Sequence, residues 1–198
     1  MQQIDEKILR RFRGSSVGQV FRPGHFHDLA SRTAVAVALH RLLVARKIQR
    51  VRRGLYHLPR PHPIVGQTGP NLTDAVRTLM EGSQAQWQYA GAYAANALGL
   101  SEQVPAKVVI LTDGPPRRVL LEKLTLDFRR AAPRNLLGAG RRSGLVIQAL
   151  RYLKGSPAMP QHVARLKRDL DPATKRELAD LAEKLPAWMQ PLVAEIAG

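Results

Sequence analysis

Hydrogen-bond donors concentrate in one short stretch near the N-terminus. Thr33, His40 and Arg41 recur at helical spacing, and a cluster of arginines follows shortly afterwards: Arg50, Arg52 and Arg53. Hydroxyl, imidazole and guanidinium groups donate hydrogen bonds to base edges and phosphate oxygens, and arginine can grip a phosphate through two parallel N–H groups. These residue types together indicate binding to a polyanion.

The first of these groups belongs to a predicted helix over residues 31–47. Ser31 is a suitable N-cap because its hydroxyl can accept a hydrogen bond from a free amide of the first turn. At about 100° per residue, the residues of one face are apolar and expected to be buried: Val35, Ala38, Leu39, Leu42 and Leu43. The opposite face is small, cationic and free of carboxylates: Thr33, Ala36, Val37, His40, Arg41 and Val44. Such a face can enter the major groove of duplex DNA.

A basic β-hairpin is predicted directly after this helix. Residues 48–53 alternate apolar and basic side chains, Gly54 permits a tight reversal, and residues 55–58 alternate again. The arginines would crowd the outer face and tip, where they hold phosphates rather than read bases. Helix and hairpin together are typical of a winged helix-turn-helix, and they define the candidate DNA-binding residues: Ser31, Arg32, Thr33, His40, Arg41, Arg50, Arg52 and Arg53. The alternative is a solvated basic helix and hairpin without a ligand.

The charge of the chain is distributed unevenly. The 198 residues include 31 Lys+Arg and 15 Asp+Glu, a formal net charge of +16. Residues 1–60 hold 13 basic and 3 acidic side chains, residues 61–154 hold 12 and 6, and residues 155–198 hold 6 and 6. We therefore expect double-stranded DNA to bind mainly to the N-terminal third. Only 5% of the residues are aromatic, which disfavours single-strand binding by base stacking.

Metal, cofactor and membrane binding are not expected. The chain has no cysteine, which excludes disulfides and thiolate metal sites. His25 and His27 lie near Asp28 but lack a third ligand at a recognisable spacing, so a polar edge near a turn is the favoured interpretation. The sequence has no long apolar run and no basic leader before an apolar stretch, so a cytoplasmic protein is expected.

The predicted fold class is α+β, with an N-terminal winged helix-turn-helix, a mixed α/β second domain and a helical C-terminal tail. The predicted domain limits are 1–60 for the winged helix-turn-helix, 61–70 for a linker rich in proline and glycine, 71–154 for the α/β domain and 155–198 for the tail.

Periodicity predicts further elements in both domains. Before Ser31, we expect a helix over residues 2–13, an extended segment over 18–24 and a short helix over 25–30. After the linker, we expect helices over 72–80 and 89–98, a strand over 106–112, a hairpin of 118–121 with 124–129, a helix after Gly140, and tail helices over 161–170, from Pro172 and near Pro186.

A glycine-rich loop, residues 138–144, precedes one of these helices. It lacks the Gly-Lys-Ser/Thr ending of phosphate-cradling loops, and no hydrophobic strand runs into it, so a nucleotide site is disfavoured. A second anion-binding surface formed by Arg134, Arg141 and Arg142 at free amides of the helix start is one interpretation. An ordinary solvated capping loop is the other.

No catalytic centre can be assembled from the sequence. Asp113, Glu122 and Asp127 lie near the second hairpin, where they are expected to offset neighbouring arginines rather than perform acid-base catalysis. His57 and His62 are expected to face solvent. We therefore predict a protein that is not an enzyme.

Taken together, several segments resemble the AbiEi family of antitoxins from type IV toxin-antitoxin systems. The resemblance covers roughly residues 3–154 and is carried by 46–56 at the predicted hairpin, and by 91–101, 103–107 and 143–150 in the second domain. The segments of the second domain are the more specific ones.

This resemblance implies an autorepressor whose winged helix binds the promoter of its own operon, with two copies on repeated sites. It implies a second domain that counteracts a nucleotidyltransferase-type toxin, without a lasting complex. A transcription regulator with a dimerisation or ligand-sensing second domain and no toxin partner is the alternative. An RNA-modifying or nucleotide-handling enzyme using residues 138–144 is a third class.

Overall fold

A computed structural model describes residues 2–64, 66–103, 105–121 and 124–198, which form an α+β protein. The chain divides into two compact units, residues 1–83 and residues 84–198. This division differs from the predicted limits at residues 60 and 71, because the segment after the predicted linker belongs to the first unit. Glu122 and Lys123, the predicted hairpin turn, lie outside the described residues.

The first unit combines helices with short antiparallel strands. Its elements are α1 (Gln2–Arg13), β1 (Val20–Phe21), a 3-10 helix (Pro23–Phe26), α2 (Arg32–Val44), β2 (Gln49–Arg52), β3 (Leu55–His57), β4 (Pro61–His62), β5 (Gly66–Gln67) and α3 (Leu72–Met80). The short helix predicted over 25–30 is instead this 3-10 helix, which begins earlier because Pro23 has a backbone angle suited to a helix start.

Helix α2 forms where the sequence predicts it, although it ends at Val44 rather than at residue 47, and it packs on an aromatic core. The Ser31 hydroxyl accepts a hydrogen bond from the Ala34 amide at 3.3 Å, which caps the helix. The apolar face of α2 is buried through Val35, Ala38, Leu39 and Leu42. It packs into one cluster with side chains from α1, β1 and the 3-10 helix: Ile8, Leu9, Phe12, Phe21 and Phe26. This core fixes which side of α2 remains in solvent.

The predicted hairpin is β2 and β3, and β1 completes a three-stranded antiparallel sheet in the order β1-β3-β2. Gly54 turns the chain with a φ of 79°, a conformation that favours glycine. The pairing slips between Arg50, opposite Tyr56, and Arg52, opposite Leu55. Such a bulge bends a strand and changes the direction of its side chains.

The expectation that His57 faces solvent is wrong. His57 lies on the central strand β3 with Val20 and Gln49 opposite it on the two neighbouring strands, and its side chain is 0% exposed. Burial lowers the pKa of this imidazole because the charged form loses its hydration. His62, at the start of the next segment, is exposed as expected.

The predicted linker is tied to the first unit. Strands β4 and β5 pair with each other, and Gln67 accepts a hydrogen bond from Gln49 of β2 at 3.2 Å. The Arg60 guanidinium donates to the carbonyls of Phe12, Arg13 and Ser15 at the end of α1. The Thr78 hydroxyl of α3 donates to the Val20 carbonyl at 3.3 Å. These bonds explain why residues 60–83 belong to this unit.

The second unit begins with a mixed four-stranded sheet. Its elements are β6 (Trp87–Ala90), α4 (Gly91–Ala97), β7 (Lys107–Thr112), β8 (Arg117–Leu121), β9 (Leu124–Arg130), a 3-10 helix (Pro133–Asn135), α5 (Arg142–Tyr152), α6 (Met159–Asp169), α7 (Pro172–Leu181), a 3-10 helix (Ala182–Lys184) and α8 (Gln190–Ala197). The strand order is β6-β7-β9-β8, with β7 and β9 parallel and the other pairs antiparallel.

The helix predicted over 89–98 begins too early. Tyr89 and Ala90 pair with Ile110 and Val109 of β7, so the start of this segment is a strand. Gly91, with a φ of 63°, allows the change from strand to helix. Sheet pairing here overrides the small-residue pattern that favoured a helix.

Residues 155–198 are not a separate tail. Val163 of α6, Leu178 of α7 and Val193 of α8 are buried in one cluster with Ala94 of α4 and Leu150 of α5. The helical content of residues 155–198 is confirmed, and so is the capping of α7 by Asp171. These helices therefore complete the core of the second unit. Among the described helices, none is long and apolar enough to span a membrane.

Candidate nucleic-acid interface

The solvent face of α2 presents small and cationic side chains. Exposed side chains run along the helix: Arg32, Thr33, Ala36, Val37, His40 and Val44. Val37 and Val44 are 48% and 70% exposed, which is unusual for apolar residues on a packed helix. Ser31 is exposed at the N-cap, with its oxygen engaged by the Ala34 amide. The face therefore combines hydrogen-bond donors with small apolar side chains that can contact a thymine methyl group.

Arg41 does not belong to this free surface. Its Nε lies 3.0 Å from Oδ2 of Asp5, and its Nη2 lies 2.5 Å from Oδ1 of the same carboxylate. This bidentate bond lowers the pKa of Asp5 because it favours the charged carboxylate. Arg41 is therefore already engaged by a carboxylate, and the expectation that this face is free of carboxylates is wrong at this point.

The hairpin arginines are in a different situation. Arg50 and Arg53 are exposed, and Arg52 is half-buried on the same strand and turn. Within the described part of the chain, none of the three forms an ion pair with a carboxylate. Their guanidinium groups therefore remain available for an external anion. Arg50 also lines an open groove with Leu43 and Arg46 from the end of α2.

The predicted histidine region near residue 25 is a group of side-chain hydrogen bonds to carboxylates. His25 Nε2 lies 2.6 Å from Oε2 of Glu81, and Arg11 forms a bidentate pair with Asp28 at 2.8 and 2.5 Å. No group of three His, Asp or Glu side chains able to hold a metal ion occurs in the described residues. His27 is exposed.

The three arginines of the predicted second anion surface are not brought together as an open site. Arg141 Nη1 lies 3.3 Å from Oε1 of Glu177, and Arg142 Nη1 lies 3.8 Å from Oδ2 of Asp171. The Ser143 hydroxyl donates to the other oxygen of Glu177 at 2.8 Å. Carboxylates of the C-terminal helices therefore occupy the place where an external anion would bind. Arg134 is exposed outside this network.

Close packing explains Gly138 and Gly144 of this loop, whereas Gly140 faces open space at a φ of 75°. A Cβ atom on Gly144 would lie 2.2 Å from the Gly138 carbonyl oxygen and 2.4 Å from Oε1 of Gln88. The loop therefore approaches the start of α5 so closely that only glycine fits at position 144. This observation favours the interpretation as a capping loop.

Asp127 is a carboxylate surrounded by cations, an environment that was predicted only in part from the sequence. It lies 2.9 Å from Lys107 Nζ, 2.9 Å from Arg129 Nε and 3.4 Å from Arg118 Nε. The hydrogen bond from Lys107, followed by that from Arg129, lowers the pKa of Asp127 to about 2. The expected offsetting of arginines is confirmed here, whereas the gathering of three cations on one sheet face was missed. The alternation of charged and apolar residues in β9 was the available signal.

These features define an α+β protein with a cationic helix-and-hairpin surface on its N-terminal unit. The chain belongs to the family described as a family of unknown function, DUF6088, whose model matches residues 3–177. A solved structure with a similar chain is the RV2827C protein from Mycobacterium tuberculosis, at 19% sequence identity and a TM-score of 0.47, covering 97% of this chain and 81% of that one. No curated protein matches the chain.

Proposed function

We propose that this protein is a DNA-binding autorepressor and antitoxin of a type IV toxin-antitoxin system, acting in the cytoplasm without a catalytic role. The single observation that carries the DNA-binding half is the exposed donor face of α2, followed at once by a hairpin whose arginines have no carboxylate partner among the described residues. In this proposal the first unit is a winged helix-turn-helix, with the order helix, strand, 3-10 helix, helix and hairpin.

Helix α2 is the recognition helix of this proposal. Thr33 and His40 donate to base edges in the major groove, with Arg32 near the N-terminal end of the helix. The exposed valines are suited to contact with thymine methyl groups. Arg41 is left out of base reading because Asp5 already engages it.

The hairpin is the wing. Arg50 and Arg53 bind phosphate oxygens on either side of the groove, and Arg52 supports them from the strand. Their lack of ion-pair partners among the described residues supports this role, since no internal bond has to break before a phosphate is bound.

The antitoxin half rests on the resemblance of residues 91–101, 103–107 and 143–150 to the AbiEi family. In the proposal, the second unit counteracts a nucleotidyltransferase-type toxin through transient contact, and two copies associate on repeated DNA sites. The antitoxin role is tested by measuring the rescue of growth. The full chain, co-expressed with a nucleotidyltransferase encoded beside its gene, is expected to relieve growth arrest, and continued arrest would remove the antitoxin role.

Base reading is tested with duplexes of the protein's own promoter and of the same composition in scrambled order. Thr33→Ala and His40→Ala are each expected to reduce discrimination between the two duplexes by about 1–3 kcal/mol. Val17→Ala, an exposed apolar residue outside α2, is the control and should leave discrimination unchanged. An equal loss of affinity for both duplexes would contradict a base-reading role.

A ligand-sensing regulator without a toxin is the second candidate. The observation that favours it is an open groove in the second unit, lined by Trp87, Leu136, Leu137 and Leu181. Its lining also includes Gln86 and Arg141, whose polar groups could orient a small molecule. A ligand that lowers promoter affinity, together with failure of growth rescue, would favour this candidate over the antitoxin.

A further inference from the structure

The sheet of the second unit presents a cationic face. Arg118 of β8 pairs directly with Asp127 of β9, so the two side chains point to the same side. Arg129 lies two residues beyond Asp127 and shares its face, because side chains alternate along a strand. Lys107 reaches the same carboxylate from β7 at 2.9 Å. Three neighbouring strands therefore direct one cation each toward a single point.

The charge on this face is not cancelled. One carboxylate meets three cations, which leaves a local charge of about +2. The Asp127 side chain is 8% exposed, whereas the side chains of Lys107, Arg118 and Arg129 are 42%, 76% and 55% exposed. Asp127 thus holds the cationic groups in position through one or two of their N–H groups. The remaining donors face solvent, since each guanidinium carries five.

The loop surface of Arg141 and Arg142 provides the contrast. There, Glu177 and Asp171 each serve one arginine, so the charge is neutralised pair by pair. On the sheet face, by comparison, three cations share one buried carboxylate, so a net positive charge remains. Arg117 and Arg130 are also exposed on these strands, but alternation places them on the opposite face of the sheet.

We propose that this sheet face, formed by Lys107, Arg118 and Arg129, binds the sugar-phosphate backbone of duplex DNA. The inference rests on the proposed DNA binding by the first unit. A phosphate backbone fits because its anionic oxygens can accept hydrogen bonds from the solvent-facing donors of cations that Asp127 already holds together.

The test compares two charge-matched double variants of the full chain. R118Q/R129Q removes two cations from the sheet face and leaves Lys107 paired with Asp127. K167Q/R176Q removes two exposed cations from α6 and α7 of the same unit. Affinity for a random-sequence duplex long enough to extend beyond the first unit is measured by fluorescence anisotropy between 50 and 200 mM salt. Thermal unfolding verifies that each variant is folded.

Loss of two phosphate contacts should reduce the salt slope by about 1.8. Over this fourfold salt range, the wild type should therefore lose about tenfold more affinity than R118Q/R129Q. K167Q/R176Q should retain most of the wild-type slope, and R118K/R129K should restore it, because lysine keeps the charge.

The two failures are distinguishable. No binding by the wild type would remove the proposed function of the first unit. Binding by the wild type with the same slope in R118Q/R129Q as in K167Q/R176Q would overturn the sheet-face inference alone. Reduced growth rescue in R118Q/R129Q with an unchanged salt slope would likewise overturn it, and would assign the face to an acidic protein partner.

Discussion

Two arginine clusters, similar in sequence, differ in what the fold does with their charge. The hairpin pair Arg50 and Arg53 is exposed and, among the described residues, has no carboxylate partner. The loop pair Arg141 and Arg142 contacts Glu177 and Asp171 from a helix far along the chain. The charge that a sequence contains is therefore different from the charge that a surface offers to a ligand.

The two clusters differ in what an external phosphate has to displace before it can bind the arginines. An external phosphate can bind the hairpin arginines by replacing water and counterions, which adds a favourable counterion release. At the loop, the same phosphate would have to displace a carboxylate and leave it unpaired beside other charges. Only the first cluster is prepared for binding, and the following predictions test that difference.

Removing the hairpin cations should have the largest effect. We expect R50A/R53A to weaken binding to any duplex by about 50-fold near 0.1 M salt, because two phosphate contacts are lost. R141A/R142A removes the same formal charge and should weaken binding by less than about threefold. Anisotropy titrations with a random-sequence duplex measure both. Equal losses would mean that net charge alone, rather than available charge, determines binding.

The glycine loop offers the next test. Gly144→Ala should lower the free energy of unfolding by about 2 kcal/mol, because its Cβ would overlap the Gly138 carbonyl and Gln88. Gly140→Ala, which faces open space at a φ of 75°, should cost about 1 kcal/mol from backbone strain alone. Urea unfolding followed by Trp fluorescence gives both values. A larger loss for Gly140→Ala would contradict the packing role of Gly144.

The helices and strands that carry both surfaces could be predicted from local sequence. The carboxylates that pair with their arginines could not. The apolar period of α2 and the alternation around Gly54 correctly predict a helix and a hairpin because their causes lie within a few residues. Arg41 pairs with Asp5, and Arg141 pairs with Glu177, through contacts that exist only after α1 and α7 have packed. The burial of His57 likewise follows from sheet order, which no local pattern contains.

Releasing Arg41 should convert a paired cation into an available one. Asp5→Asn removes the bidentate partner of Arg41 and one negative charge beside α2. We expect affinity for random-sequence duplex to rise by up to about eightfold at 0.1 M salt, the equivalent of one phosphate contact. Glu6→Gln is the matched control on α1, because it removes the same charge from a neighbouring carboxylate that pairs with Arg13 rather than Arg41. A similar gain in affinity in both variants would mean that the loss of one negative charge, rather than the release of Arg41, causes the effect.

The smallest expected effect is a pH dependence of the hairpin sheet itself. Burial lowers the pKa of His57 in the folded state, so below its ordinary value of about 6.5 the unfolded chain binds a proton that the folded chain resists. Stability of the first unit should therefore be full above about pH 6.5 and fall as the pH decreases toward the folded pKa, by at most about 1.4 kcal/mol per pH unit.

Amide hydrogen exchange of β3 between pH 7.5 and 5.5, corrected for intrinsic exchange rates, measures this change. His57→Leu should flatten the dependence because no titrating group remains at this position, whereas the exposed His62→Gln should preserve it. If the wild type and His57→Leu lost protection equally on acidification, another group would be responsible. The burial of His57 would then not determine the acid sensitivity of the hairpin sheet.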